Sequence, residues 1–176
     1  EDIVIASDTS SAFPSSPFEY VFDGATRDEI KARAGEKGKV VQDCTSSTFG
    51  GPPTTVNGTL LSALPEPIVW VDGLCDFPNN TIIGSRETPL ILVVNGDFRA
   101  TGNLDVYGLV VGLADFQLNG GVIFHGSAIS EDSAKLTNGA YKQVYDKSVL
   151  DAFAEDGLST DIAKVKYSWR DFTPAP

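Results

Sequence analysis

Residues 90–130 read LILVVNGDFRATGNLDVYGLVVGLADFQLNGGVIFHGSAIS, and two nested periods run through them. Gly84, Gly96, Gly102, Gly108, Gly120 and Gly126 fall on a grid of six, with Leu90 and Ala114 in the two gaps. Within each block the third and fifth positions are mostly apolar: Leu92 and Val94, Phe98 and Ala100, Leu104 and Val106, Phe116 and Leu118, Val122 and Phe124. That alternation is the strand period of two, interrupted by a turn and then restarted.

The longer period is 18: Asp97-Phe98 matches Asp115-Phe116, Gly102 matches Gly120, Gly108 matches Gly126, and Ala100 matches Leu118 and Leu136. Repetition at a fixed spacing is the mark of units that each hide an apolar edge against the next. The pattern predicts a mainly β chain with a short triangular β-helix, a solenoid of about 18 residues per coil. Stacking coils roughly 4.8 Å apart would place Phe98 on Phe116, Leu104 on Val122, Val106 on Phe124, and Leu92 on Val110 on Ala128. Gly96, Gly102, Gly108, Gly120 and Gly126 would mark the corners. An antiparallel meander with regular turns would also give alternation and glycines, but the coincidences at 18 favour stacked coils.

Around this segment the sequence divides a single domain, 1–176, into three parts: an N-terminal strand, helix and loops (1–67), the solenoid (68–140) and a C-terminal cap (141–176). Asp2 to Ala6 reads as a strand, and a Ser- and Pro-rich loop follows at 8–17. Thr26-Arg-Asp-Glu29 is a capping-box sequence opening a helix that Gly35 is expected to end. Residues 45–58, centred on Gly50-Gly51-Pro52-Pro53, predict an exposed loop. Ile68-Val69-Trp70-Val71 reads as a strand ending at Asp72-Gly73. Asp146 is expected to cap an amphipathic helix, Lys147 to Asp156, that turns Val149, Leu150 and Phe153 inward and closes one end of the coils. The tail Tyr167 to Phe172 is expected to pack back onto the body.

The chain has 176 residues, 41% of them hydrophobic, with 24 Asp and Glu against 13 Lys and Arg, a net charge of −11. That length suffices for a sizeable core. The balance argues against nucleic acid as a partner, because phosphate binding needs clustered cations. The most basic stretch, Lys31 to Lys39, is diluted by Glu36 and reads as a solvated helix and loop. No run approaches the ~20 apolar residues of a membrane span. The chain starts at Glu1 and contains no methionine, so something N-terminal is expected to have been removed.

The two cysteines, Cys44 and Cys75, have no CxxC or histidine cluster beside them, and His125 is the sole histidine. A disulfide is favoured over a metal site; the alternative is a pair of buried thiols in a cytosolic protein. Closing a loop of about 30 residues would stabilise by roughly 3–4 kcal/mol in the loop-entropy picture and would place the protein in an oxidising compartment.

Val69-Trp70-Val71-Asp72-Gly73, Thr88-Pro-Leu-Ile-Leu-Val-Val-Asn-Gly-Asp97, Gly102-Asn-Leu-Asp-Val-Tyr-Gly108-Leu-Val-Val and Ser168-Trp169-Arg170-Asp171-Phe172 occur in that order. In this the chain resembles the PilX-type proteins of bacterial type IV pili over roughly residues 68–172. Tyr167 stands where that pattern would have glycine. The resemblance implies a minor pilin: a non-enzymatic subunit, displayed at the cell surface and working through assembly with major and minor pilins and a pilus-tip adhesin. It implies adhesion or motility, a periplasmic or surface location, and membrane attachment only through a hydrophobic helix N-terminal to Glu1.

The chemistry in the sequence is sparse, and no catalytic group, cofactor or metal is expected. A hexapeptide-repeat acyltransferase would use a histidine as general base. His125, next to the Gly126 corner, is instead expected to point outward as an ordinary surface residue, and Asn95, Thr101, Tyr107, Asn119 and His125 stand where that family wants aliphatic residues. Asp97 and Asp115 would stack one coil apart, close enough to share a cation or to splay into water; Ser133 at the next equivalent position argues for the latter. No serine sits in a nucleophile motif. Asn57-Gly-Thr59 and Asn79-Asn-Thr81 match a glycosylation sequon by pattern alone. A cytosolic, polymer-forming solenoid of the bactofilin sort is the main alternative to the pilin.

Overall fold

The computed structural model describes residues 16–44, 55–56 and 64–155. The expected strand at 2–6, most of the loops at 8–17 and 45–58, and the tail at 167–172 lie outside the described residues. Two helices come first, α1 (Pro17–Val21) and α2 (Arg27–Lys37). Strands follow: β1 (Lys39–Val41), β2 (Thr55–Val56), β3 (Ile68–Val71), β4 (Cys75–Phe77), β5 (Thr81–Ile83), β6 (Leu90–Val94), β7 (Phe98–Thr101), β8 (Leu104–Gly112), β9 (Phe116–Asn119), β10 (Val122–Ser130), β11 (Ala134–Asn138) and β12 (Tyr141–Val144). Helix α3 (Lys147–Glu155) is last.

Every strand pairing among the described residues is parallel. The strands form two sheets. The larger runs β1-β3-β6-β8-β10-β12, with β5 also paired to β8 and β2 to β5; the smaller runs β11-β9-β7-β4. Between β6, β8 and β10, and between β7 and β9, the register is 18 residues: Leu104 faces Val122, Val106 faces Phe124, Val110 faces Ala128 and Leu92, and Phe98 faces Phe116; β3 pairs with β6, and β4 with β7, at 23.

The closed triangular β-helix expected from the grid of six is corrected by this topology: the strands make two open sheets, not three sides of a closed coil. The physical reason lies at two of the expected corners. β8 and β10 each run nine residues straight through Gly108 and Gly126, so two blocks of six join into one strand. Both glycines have positive φ, 141° and 135°, and a Cβ on Gly108 would lie 1.9 Å from the Leu90 carbonyl oxygen. Glycine there turns the strand without ending it, because no side chain is present to strike the neighbouring backbone.

At β3 and β6 the large sheet is buried on both faces, as parallel sheets usually are. One face meets the small sheet across a core that includes Phe77, Phe98, Phe116, Phe124, Leu92, Leu104, Val106 and Val122. Phe98 stacks on Phe116 at 4.8 Å, on Phe77 at 5.4 Å and on Phe124 at 6.2 Å between ring centroids. The opposite face carries Ile68, Trp70, Ile91, Val93, Leu109 and Val111 beneath the helices, where Phe18, Val21, Ile30, Val149 and Phe153 cover it. The consecutive apolar residues of Leu90–Val94 follow directly: all five positions are buried because both faces are covered. The fold is thus three layers, helices on a large sheet on a small sheet.

Helix α2 begins at the expected capping box: Thr26 Oγ1 accepts from the Glu29 amide, and the Glu29 carboxylate accepts from the Thr26 amide at 2.8 Å. It does not stop at Gly35 but runs to Lys37 and is capped by Gly38, whose amide donates to the Ala34 carbonyl. Helix α3 buries Val149 and Phe153 as expected; the Leu150 side chain lies outside the described residues.

Candidate functional site

The chain's one histidine, His125, lies on β10 of the large sheet, beside the Tyr107 that packs against the helix-side core. Register places Tyr107 beside His125, with Val144 beyond it, and Asp105 beside Ile123, with Lys142 beyond that. The Tyr107 and His125 rings lie 4.3 Å apart and within 5° of parallel. The His125 side chain is only 16% exposed, and its Nε2 is 3.7 Å from Asp105 Oδ1. Its Nδ1 is buried with no hydrogen-bond partner. His125 does point away from the inter-sheet core, as expected, but it is stacked and largely covered rather than an ordinary surface residue. The arrangement does not resemble a primed general base, which needs a hydroxyl or thiol within hydrogen-bond reach and an orienting partner on its second nitrogen.

The cysteines are likewise unavailable as nucleophiles. Cys44 and Cys75 form a disulfide with a sequence separation of 31 and a Cα–Cα distance of 4.5 Å. The bridge ties the segment after β1 to β4 and so links the two sheets, and the Cys44 amide adds a hydrogen bond to the Leu74 carbonyl.

Asp97 and Asp115 sit at equivalent places, since the Cys75 amide donates to the Asp97 carbonyl and the Phe98 amide to the Asp115 carbonyl. Their carboxylates go separate ways. Asp97 accepts from Arg99 Nη2 at 2.9 Å, and Asp115 accepts from Ser133 Oγ at 2.6 Å. Among the described residues no group of three or more His, Cys, Asp or Glu converges as metal ligands would. Of the other expected corners, Gly102 and Gly120 do lie between strands, and Gly96 packs against the Gly73 backbone, 2.6 Å from where a Cβ would sit.

The most developed polar chemistry joins the helices to the large sheet. Glu66, 7% exposed, accepts from Arg33 Nε at 2.6 Å and from Lys37 Nζ at 2.9 Å. Burial opposes its charge, but the hydrogen bonds and charges of Arg33 and Lys37 outweigh it and hold the carboxyl below its ordinary range. Asp72 is held low in the same way, chiefly by a hydrogen bond from Lys31, against burial and with help from Trp70 Nε1 at 2.9 Å. Glu131, at the far end of the sheet, pairs with Arg27 and accepts from the Phe18 amide at 3.0 Å.

Sequence reasoning missed these anchors and the Tyr107–His125 stack. The period of 18, applied to outward-facing positions, already pairs Tyr107 with His125. Glu66 carried a weaker signal, a lone acid between Pro65 and Pro67 immediately before an all-apolar strand. No family model, curated protein or solved structure matches the chain. No helix among the described residues is long and apolar enough to cross a membrane.

Proposed function

We propose that this chain is a structural, non-enzymatic subunit displayed outside the cytoplasm, a minor pilin of a type IV pilus. The observation that carries the reading is the Cys44–Cys75 disulfide, because such bridges persist in oxidising compartments and are rare in the cytosol. It favours the exported pilin over the cytosolic polymer. The resemblance of its ordered motifs to those of PilX-type proteins is what suggests the identity of the assembly. The ionisable groups support it in a different way: Glu66, Glu131 and Asp72 serve as anchors between layers.

In this reading the chain acts by presenting a rigid, acidic surface within a fibre, in contact with other pilin subunits and a tip adhesin. Mass spectrometry of surface fibres sheared from the source cells tests it. Peptides of this chain, disulfide-linked and continuous with a processed hydrophobic helix before Glu1, are the expected result. Recovery of the chain only from the cytosol, with reduced thiols, would overturn it.

A further inference from the structure

The Cys44–Cys75 bridge lies inside the core between the sheets. Cys44 and Cys75 are 1% and 0% exposed, and both belong to the apolar cluster that holds Val41, Phe77 and Phe98. Backbone closes around them on two sides. On one side β1 pairs with β3, Val41 opposite Val71, and the contact continues past the strand ends. The Asp72 amide donates to the Val41 carbonyl at 2.9 Å, and the Cys44 amide to the Leu74 carbonyl at 3.3 Å. Between these bonds a Cβ on Gly73 would lie 2.7 Å from the Gln42 carbonyl oxygen, so the two segments touch. On the other side Cys75 is paired with Phe98, and its amide donates to the Asp97 carbonyl at 2.9 Å.

A disulfide is made or broken only when a nucleophile, usually a thiolate, reaches a sulfur, and the rate depends on that access. Here neither cysteine meets solvent, and the pairings that bring the two together are also the ones that enclose them. We propose that the folded chain is inert towards thiol–disulfide exchange at this bridge, and that the bridge is the product of an exchange reaction that takes place on the chain before β4 pairs with β7.

The co-reactant is an organic disulfide that donates its bond. One cysteine thiolate attacks a donor sulfur, forming a mixed disulfide and expelling the donor's second sulfur as a thiolate. The other cysteine thiolate then attacks the chain's own sulfur in the mixed disulfide; the Cys44–Cys75 bond forms and the donor's remaining sulfur leaves. The two cysteines give up two protons and two electrons, and the donor disulfide becomes a pair of thiols. Reduction runs the same steps in reverse and needs the same opening of the strands. Both directions depend on the burial of the bridge and not on which assembly the chain joins.

The test uses the full oxidised chain. It is exposed to dithiothreitol in native buffer and in denaturing urea, and samples taken over time are alkylated with iodoacetamide and weighed by mass spectrometry. Because a core strand opens only rarely, reduction in buffer should be at least about a hundredfold slower than in urea at equal dithiothreitol; any smaller ratio would overturn the proposal. A pulse of oxidised glutathione tests the forward step. Given to the reduced chain as it is diluted from urea, it should close the bridge at least about tenfold faster than when given after circular dichroism shows refolding complete. Equal rates on the refolding and the refolded chain would overturn the proposal. A reduced chain that stays unfolded until it is oxidised would support it, since only the unfolded chain is then a substrate.

Discussion

Replacing Phe98 by alanine is the sharpest probe of the core between the sheets. The ring is fully buried and touches three others, Phe77, Phe116 and Phe124, at centroid distances of 5.4, 4.8 and 6.2 Å. Its removal forfeits the transfer free energy of the side chain and leaves a cavity that strands paired on both sides cannot collapse to fill. Such deletions cost about 3–5 kcal/mol, and the lost ring pairs place Phe98 at the upper end. With a urea slope of about 2 kcal/mol per molar, the midpoint should fall by roughly 1.5–2.5 M at unchanged slope. The control is Leu136→Ala, which lies in a neighbouring interior row but at its open end, 48% exposed; it should cost under about 1.5 kcal/mol, a partly exposed deletion. A Phe98→Ala shift no larger than that of Leu136→Ala would refute the ladder as the source of stability.

Three further outcomes follow from the same geometry. Removing the disulfide by Cys44→Ser with Cys75→Ser should destabilise by roughly 3–4 kcal/mol, read as an equal loss on adding reductant to the parent chain but not to the variant. Glu66→Gln should cost about 1–3 kcal/mol at neutral pH by urea denaturation, as hydrogen bonds to a charged group do. The Glu66 carboxyl is held low when folded, so its contribution is present above the ordinary glutamate value and lost as pH falls through the folded one; the variant should show a flatter acid limb than the parent, and parallel limbs would count against the anchor. Gly108→Ala should be severely destabilising, since its Cβ would meet Leu90 oxygen at 1.9 Å, whereas Gly24→Ala, with nothing within 4 Å, should cost only about 1 kcal/mol for its positive φ; equal melting temperatures for the two would contradict the close approach at Gly108.

Much of this was legible in the sequence because strand register is a matter of spacing. Asp97-Phe98 and Asp115-Phe116 are one period apart, and their strands pair in that register. What spacing could not tell was where a strand ends. Gly102 and Gly108 occupy identical places in the grid of six, yet the first separates β7 from β8 and the second lies inside β8. The difference comes from what flanks them. Asn103 interrupts the apolar alternation after Gly102, whereas Leu109, Val110 and Val111 continue it after Gly108 and bury both their faces. Reading that run as doubly buried would have required the N-terminal helices on the sheet, and α2 signals its inward face with only Ile30 and Ala34. The anchors at Glu66 and Glu131 depend on contacts 33 and 104 residues distant, beyond any local pattern.

The ends of the stack also bear on how the protein can assemble. A parallel sheet leaves unpaired amides and carbonyls at both of its edges whatever its sequence, so a polymer built edge to edge needs both ends open. Here one end of the small sheet is stapled: Cys44 is bonded to Cys75 on β4, the last strand there, and its amide is satisfied by Leu74. The opposite end displays Lys135 on β11 and Lys142 on β12, both exposed, and lysine on an edge strand opposes the approach of another sheet. These features disfavour growth by strand stacking and leave assembly to a separate element, which is how a pilin domain carried on an N-terminal helix would join a fibre.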